Sequence, residues 1–134
     1  MNSEMMKAFD VKDGYAIHEM LPEYGITPVI ITGRESKIVE GRAKELGVTH
    51  IFQGIKDKLS FLKKFTAENS VTIEEIAYIG DDISDLECLK ICGIGGCPAD
   101  AADEVKRSAA TYRRYFVYCY FTHINNLKIS SCFS

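Results

Sequence analysis

Apolar residues fall into short runs that alternate with stretches of helical spacing. Residues 27–31 carry Pro28, Val29, Ile30 and Ile31 with no polar alternation, as in a strand buried on both faces. Residues 75–79 also read as a buried strand, 48–52 reads as a further strand, and 93–97 as a shorter one. Between them lie helical patterns. One opens at Glu35 and Ser36 and runs to Leu46, with Ile38, Val39, Ala43 and Leu46 on one face and Gly47 as its stop. A second covers 59–67, with Leu59, Leu62 and Phe65 inward; a third covers 83–91; a fourth covers Asp103–Ser108. Upstream, 4–11 predicts a strand. A turn at Asp13-Gly14 leads into a helix that Pro22 breaks late and Tyr24-Gly25 closes. Alternating strands and helices imply an α/β domain: a parallel sheet with helices on both faces, joined by right-handed crossovers. Beyond Tyr112 the pattern changes to an uncharged aromatic run over 115–121, expected to be an edge strand or an unpaired tail.

The strand at 75–79 stops at Gly80, and Asp81, Asp82 and Asp85 follow at once. In a parallel sheet this places three carboxylates at the carboxyl edge, where open α/β folds bind ligands. Such crowding calls for a cation or hydrogen-bond donors, and oxygen ligands of this kind suit Mg²⁺. The alternative is a solvated loop with Asp82 or Ser84 as a helix cap. Thr32-Gly33-Arg34 at the end of another strand, just before a helix, is either an anion seat or a plain cap. Lys58 stands at a helix start, against the helix dipole, which suits either a nearby anion or a solvated surface position. His18 is read as a helix-surface or core-edge residue.

Composition narrows the classes. The chain has 134 residues, 46% hydrophobic and 26% charged, which fits one soluble globular domain. A net charge of −3 gives no case for nucleic acid or for an anionic membrane surface. No apolar run approaches the ~20 residues of a membrane span, and Met1-Asn2-Ser3-Glu4 does not open a secretory signal. Cys88, Cys92, Cys97, Cys119 and Cys132 are odd in number and contain no Cys-x-x-Cys, so a disulfide framework or zinc knuckle is not expected. Cys88 and Cys92 share a helix face as small core residues, and a reducing cytoplasm is the expected location.

Four stretches occur in order: Val29-Ile30-Ile31-Thr32-Gly33-Arg34, then Gly54-Ile55-Lys56-Asp57-Lys58-Leu59, then Gly80-Asp81-Asp82-Ile83-Ser84-Asp85, then Cys97-Pro98-Ala99-Asp100-Ala101. Together with 6–14 they resemble the haloacid dehalogenase superfamily, in its small capless branch of sugar-acid phosphate phosphatases. The resemblance spans about residues 4–112, leaving 113–134 as a divergent aromatic tail. It implies a three-layer α/β/α, Rossmann-like fold and Mg²⁺-dependent hydrolysis of 3-deoxy-D-manno-octulosonate 8-phosphate or a nonulosonate 9-phosphate. By resemblance Thr32 and the Gly33 N–H hold the transferring phosphoryl group, Lys58 neutralises its charge, Asp81 ligates the metal, Asp82 and Asp85 support the metal waters or Lys58, and Arg34 touches the substrate. It also implies a homo-oligomer, a tetramer in the family. The family's first motif, Asp-x-Asp-Gly, bears the nucleophile on the central strand, and the sequence contains none. The chain is therefore expected to lack that strand, to be a piece of a longer protein, and to be inactive alone. The alternative is a non-catalytic domain for assembly or regulation, like the one associated with acylneuraminate cytidylyltransferase. A response-regulator receiver is disfavoured, because the acidic pair here follows the Lys.

Overall fold

A computed structural model describes residues 15–98, 101–108, 111–112 and 128–131. The expected strand at 4–11 and the aromatic run at 115–121 lie outside these residues. Strands β1 (Pro28–Ile31), β2 (His50–Phe52), β3 (Ile76–Ile79), β4 (Ile94–Cys97), β5 (Thr111–Tyr112) and β6 (Lys128–Ser131) form one sheet in the order β2-β1-β6-β3-β4-β5. Every pairing in it is parallel. Helix α1 combines a wide π-type turn, Ala16–Met20, with Leu21–Glu23; then come α2 (Lys37–Glu45), α3 (Lys58–Glu68), α4 (Leu86–Ile91) and α5 (Asp103–Ser108). None of the helices described is long and apolar enough to cross a membrane.

The termini of these helices explain their boundaries. Ser36, extended, caps α2 by accepting from the Val39 N–H at 3.2 Å. Gly47, at φ +76°, closes it: Gly47 N–H donates to Lys44 O and Val48 N–H to Ala43 O. These paired bonds need the left-handed conformation that glycine adopts without strain. Asp57 caps α3 through the Ser60 N–H at 3.0 Å. The helix expected over 83–91 is in two parts, a tight 3₁₀ turn at Ile83–Asp85 followed by α4. The turn exists because Asp82 and Asp85 cap each other's backbone, which draws the Asp85 side chain inward.

The two faces of β3 follow strand alternation. Ile76 and Tyr78 join the main core with Val29, Ile31, Leu62, Phe65, Cys88 and Val105. Ala77 faces the other way, against Ile26. Burial of this apolar surface, at roughly 25 cal/mol per Å², is the main force holding the layers together.

The centre of the sheet differs from expectation. The sequence predicted a gap where a central strand belongs, and β6 fills it. Val29 pairs with Ser130 on one side, and Ala77 with Ile129 on the other. An unfilled slot would leave the facing edges of β1 and β3 with unpaired backbone groups in the middle of the protein. A strand from the C-terminal segment satisfies both edges at once.

Candidate active site

The strands β1 and β3 end at the same sheet edge, and the residues singled out in the sequence lie in the segments that leave it. Thr32 follows β1 and is buried. Its hydroxyl oxygen accepts from the Arg34 N–H at 3.2 Å. Since Ser36 is the cap of α2, the reading of Thr32 as a helix cap falls. Thr32 instead shapes the turn, and its own proton is left to donate. Gly33 is half-buried and Arg34 is exposed. The facing loop holds this turn in place: Lys56 Nζ donates to the Gly33 carbonyl at 2.9 Å, Ile55 N–H to Thr32 O at 3.0 Å, and Ser36 N–H to Gln53 Oε1.

Lys58 is only 5% exposed although it begins α3. The solvated reading of this lysine is thereby excluded. Its Nζ meets Asp85 Oδ1 at 2.9 Å, and Asp85 is fully buried. Tyr78 Oη donates to the same Oδ1 at 2.7 Å, and the Asp82 N–H donates to Oδ2 at 3.2 Å. A buried carboxylate is tolerable only when paired and hydrogen-bonded, and here an ammonium, a phenol and an amide all serve Asp85. Gly80 makes room for it: a Cβ at Gly80 would lie 2.4 Å from the Asp85 Cβ. The Cys88 thiol, in hydrogen-bond reach of Tyr78, is pushed up to about 11 by burial.

Asp81 is half-buried, with one carboxylate oxygen shielded from solvent. Its carbonyl accepts from the Ala102 N–H at 3.1 Å, which ties the strand end to the loop before α5. Asp82 is exposed, and its Oδ1 accepts from the Ile83 N–H at 2.7 Å. Among the described residues no group of three or more His, Cys, Asp or Glu side chains comes together to hold a metal ion. Mg²⁺ typically takes one or two protein carboxylates and completes its shell with water and phosphate. Asp81 fits one place in such a set.

Residues 31–112 match the model of the haloacid dehalogenase-like hydrolase family. The chain belongs to that family. Among the members it resembles is the 3-deoxy-D-manno-octulosonate 8-phosphate phosphatase KdsC of Escherichia coli (strain K12), 40% identical over 100 residues, which are 75% of this chain and 53% of that one. Among solved haloacid dehalogenase-like structures, the Moraxella catarrhalis 3-deoxy-D-manno-octulosonate 8-phosphate phosphatase, a complex with magnesium, phosphate and KDO, superposes with a TM-score of 0.78 at 38% identity, over 84% of this chain and 66% of that one. A cobalt-bound form of the Haemophilus influenzae enzyme gives 0.73 at 34% identity, over 83% and 64%. The chain spans about half the length of the curated relatives it matches, 53% of the Escherichia coli protein.

Of the residues expected at a haloacid dehalogenase-like site, Lys58 and Asp85 are in direct contact, and Thr32 and Asp81 occupy the two strand ends beside them. Asp82 caps its own turn, and Arg34 points to no described side-chain partner. Sequence reasoning gave no role to Tyr78, Lys56 or Asp57. The available signal for Tyr78 was a hydroxyl-bearing aromatic within an apolar strand that has to be buried on both faces, since such a hydroxyl needs a partner.

Proposed function

We propose that this chain carries the phosphoryl-binding half of a Mg²⁺-dependent sugar-acid phosphate phosphatase, with 3-deoxy-D-manno-octulosonate 8-phosphate or a nonulosonate 9-phosphate as substrate. The observation that carries this reading is Lys58, an ammonium buried at a helix N-terminus, where the helix dipole opposes it, and fixed by Asp85. An anion at this edge offsets that conflict. The relatives named above, among them a structure with magnesium, phosphate and KDO bound, support the same assignment.

Each residue has a part in that chemistry. The Thr32 hydroxyl and the Gly33 N–H bind phosphoryl oxygens, and Lys56 holds the turn that presents them. Lys58 neutralises charge on the transferring group, the form of stabilisation that dominates phosphoryl transfer. Arg34, exposed at the mouth, is placed to meet the substrate's sugar-acid portion. Asp81 would ligate Mg²⁺, which supplies further charge stabilisation, and Asp82 would orient waters around it. The sequence holds no Asp-x-Asp-Gly, so the chain alone binds but does not turn over. Loss of a nucleophile typically costs up to ~10⁶ in rate. The same reading carries a homo-oligomer and a cytoplasmic location.

Titration of the purified chain with inorganic phosphate, with and without Mg²⁺, tests the reading, alongside a hydrolysis assay on 3-deoxy-D-manno-octulosonate 8-phosphate. Phosphate binding that strengthens with Mg²⁺ and is lost in Lys58→Met is expected. Absence of phosphate binding refutes the phosphoryl seat, and Mg²⁺-dependent hydrolysis refutes the inactivity of the isolated chain. A non-catalytic role in assembly would show as stable association with acylneuraminate cytidylyltransferase.

A further inference from the structure

Tyr78 is fully buried, yet it carries a hydroxyl into the main core. Burying a hydroxyl without a partner costs roughly 1–3 kcal/mol, so a strand position that needs only bulk is better served by Phe. The hydroxyl goes to Asp85 Oδ1 at 2.7 Å, the same oxygen that Lys58 Nζ reaches at 2.9 Å. Asp85 Oδ2 is taken by the Asp82 N–H at 3.2 Å. The carboxylate is thus held from both ends, and its free rotation is removed.

We propose that Tyr78 is a positioning residue: its hydroxyl fixes the Asp85 carboxylate and so aims the Lys58 ammonium at the sheet edge. The inference rests on the phosphoryl-facing role of Lys58 argued above. Three features give Tyr78 this part. It sits on β3, the strand that also delivers Gly80 and Asp81, so one rigid element sets both the acidic turn and the lysine. The backbone of Gly80 passes so close to Asp85 that the carboxylate cannot retreat toward it. The Cys88 thiol, on α4, lies against the phenol from the other side. Tyr78 touches neither the substrate nor the metal place in this scheme; it acts through Asp85.

The test uses the full chain with ¹⁵N-labelled lysine, read by the Lys58 Nζ resonance and by inorganic phosphate affinity. In Tyr78→Phe the Nζ signal is expected to move, its protons to exchange faster, and phosphate affinity to fall roughly fivefold, a share of what one charged hydrogen bond is worth. Val29→Ala loosens the same core from β1, a strand that does not pair with β3, and is expected to leave the Lys58 signal in place. An unmoved signal and unchanged affinity in Tyr78→Phe overturn the proposal, as does an equal shift in Val29→Ala. If Tyr78→Phe does not fold, 3-fluorotyrosine labelling strengthens the phenol as a donor within the intact fold: a moved Lys58 signal supports the proposal and an unmoved one overturns it. If wild type binds no phosphate while Tyr78→Phe still moves the signal, the positioning role stands and the phosphoryl-seat reading fails.

Discussion

Replacing Lys58 by Met leaves the Asp85 carboxylate fully buried without its ammonium. Removing one partner of a buried ion pair costs about 3–5 kcal/mol. Asp85 keeps the Tyr78 hydroxyl and the Asp82 amide, so Lys58→Met belongs at the low end, near ~3 kcal/mol. Asp85→Asn strands the ammonium instead. Lys58 stands at the start of α3, where the dipole adds about 0.3–1 kcal/mol against a cation, so that variant should lose ~4 kcal/mol. The double variant has no charge left to strand and should lose no more than Asp85→Asn alone, ~4 kcal/mol at most, a coupling of about 3 kcal/mol. For a domain of this size the Lys58→Met loss corresponds to a fall of roughly 10–15 °C in Tm. Urea unfolding of the four proteins, followed by circular dichroism, completes the cycle. Additive losses in the double variant, or a Lys58→Met protein within about 0.5 kcal/mol of wild type, would refute a coupled buried pair, since distant independent sites add to that precision.

Three other outcomes follow from the same geometry. Gly80→Ala places a Cβ 2.4 Å from the Asp85 Cβ, and the forced shift should cost about 1–3 kcal/mol in urea unfolding; a neutral result would mean the turn opens freely. Ile129→Pro removes a backbone donor in the middle of β6, between β1 and β3, and should destabilise by ~3 kcal/mol or more, while wild-type amides at 128–131 should be protected in hydrogen exchange; exchange at the rate of a free peptide would remove β6 from the sheet. Burial pushes the Cys88 and Cys92 thiols up to about 11 and about 12, so at pH 8 about one Cys88 in a thousand is thiolate and alkylation by iodoacetamide, mapped by mass spectrometry, should be slow in the folded protein and rapid in urea. The sign is that of a raised acid: reactivity appears only as pH climbs toward these values.

What the sequence revealed and what it hid separate by the range of the interaction. β1 and β3 were legible because each is a contiguous apolar run, and α2 because Ser36 and Gly47 mark its ends. The residues proposed for the site were picked out where they sit in fixed local motifs, as Thr32, Lys58 and Asp81 do. The burial of Lys58 was not legible. Its local sequence, Lys56-Asp57-Lys58, reads as a solvated charge run, and only Asp85, 27 positions later, draws it inward. The same limit hid Tyr78, whose partner lies across a turn that the periodicity had merged into a longer helix. β6 is the extreme case. Lys-Ile-Ser-Ser has weak strand character, and no local rule would choose it over the aromatic run before it. Its place follows from two parallel edges, β1 and β3, that both require a partner, and the need for backbone pairing there outweighs the preference of the four side chains. The occupant of the central slot is therefore chosen by the sheet, and the site at its edge inherits whichever strand ends there.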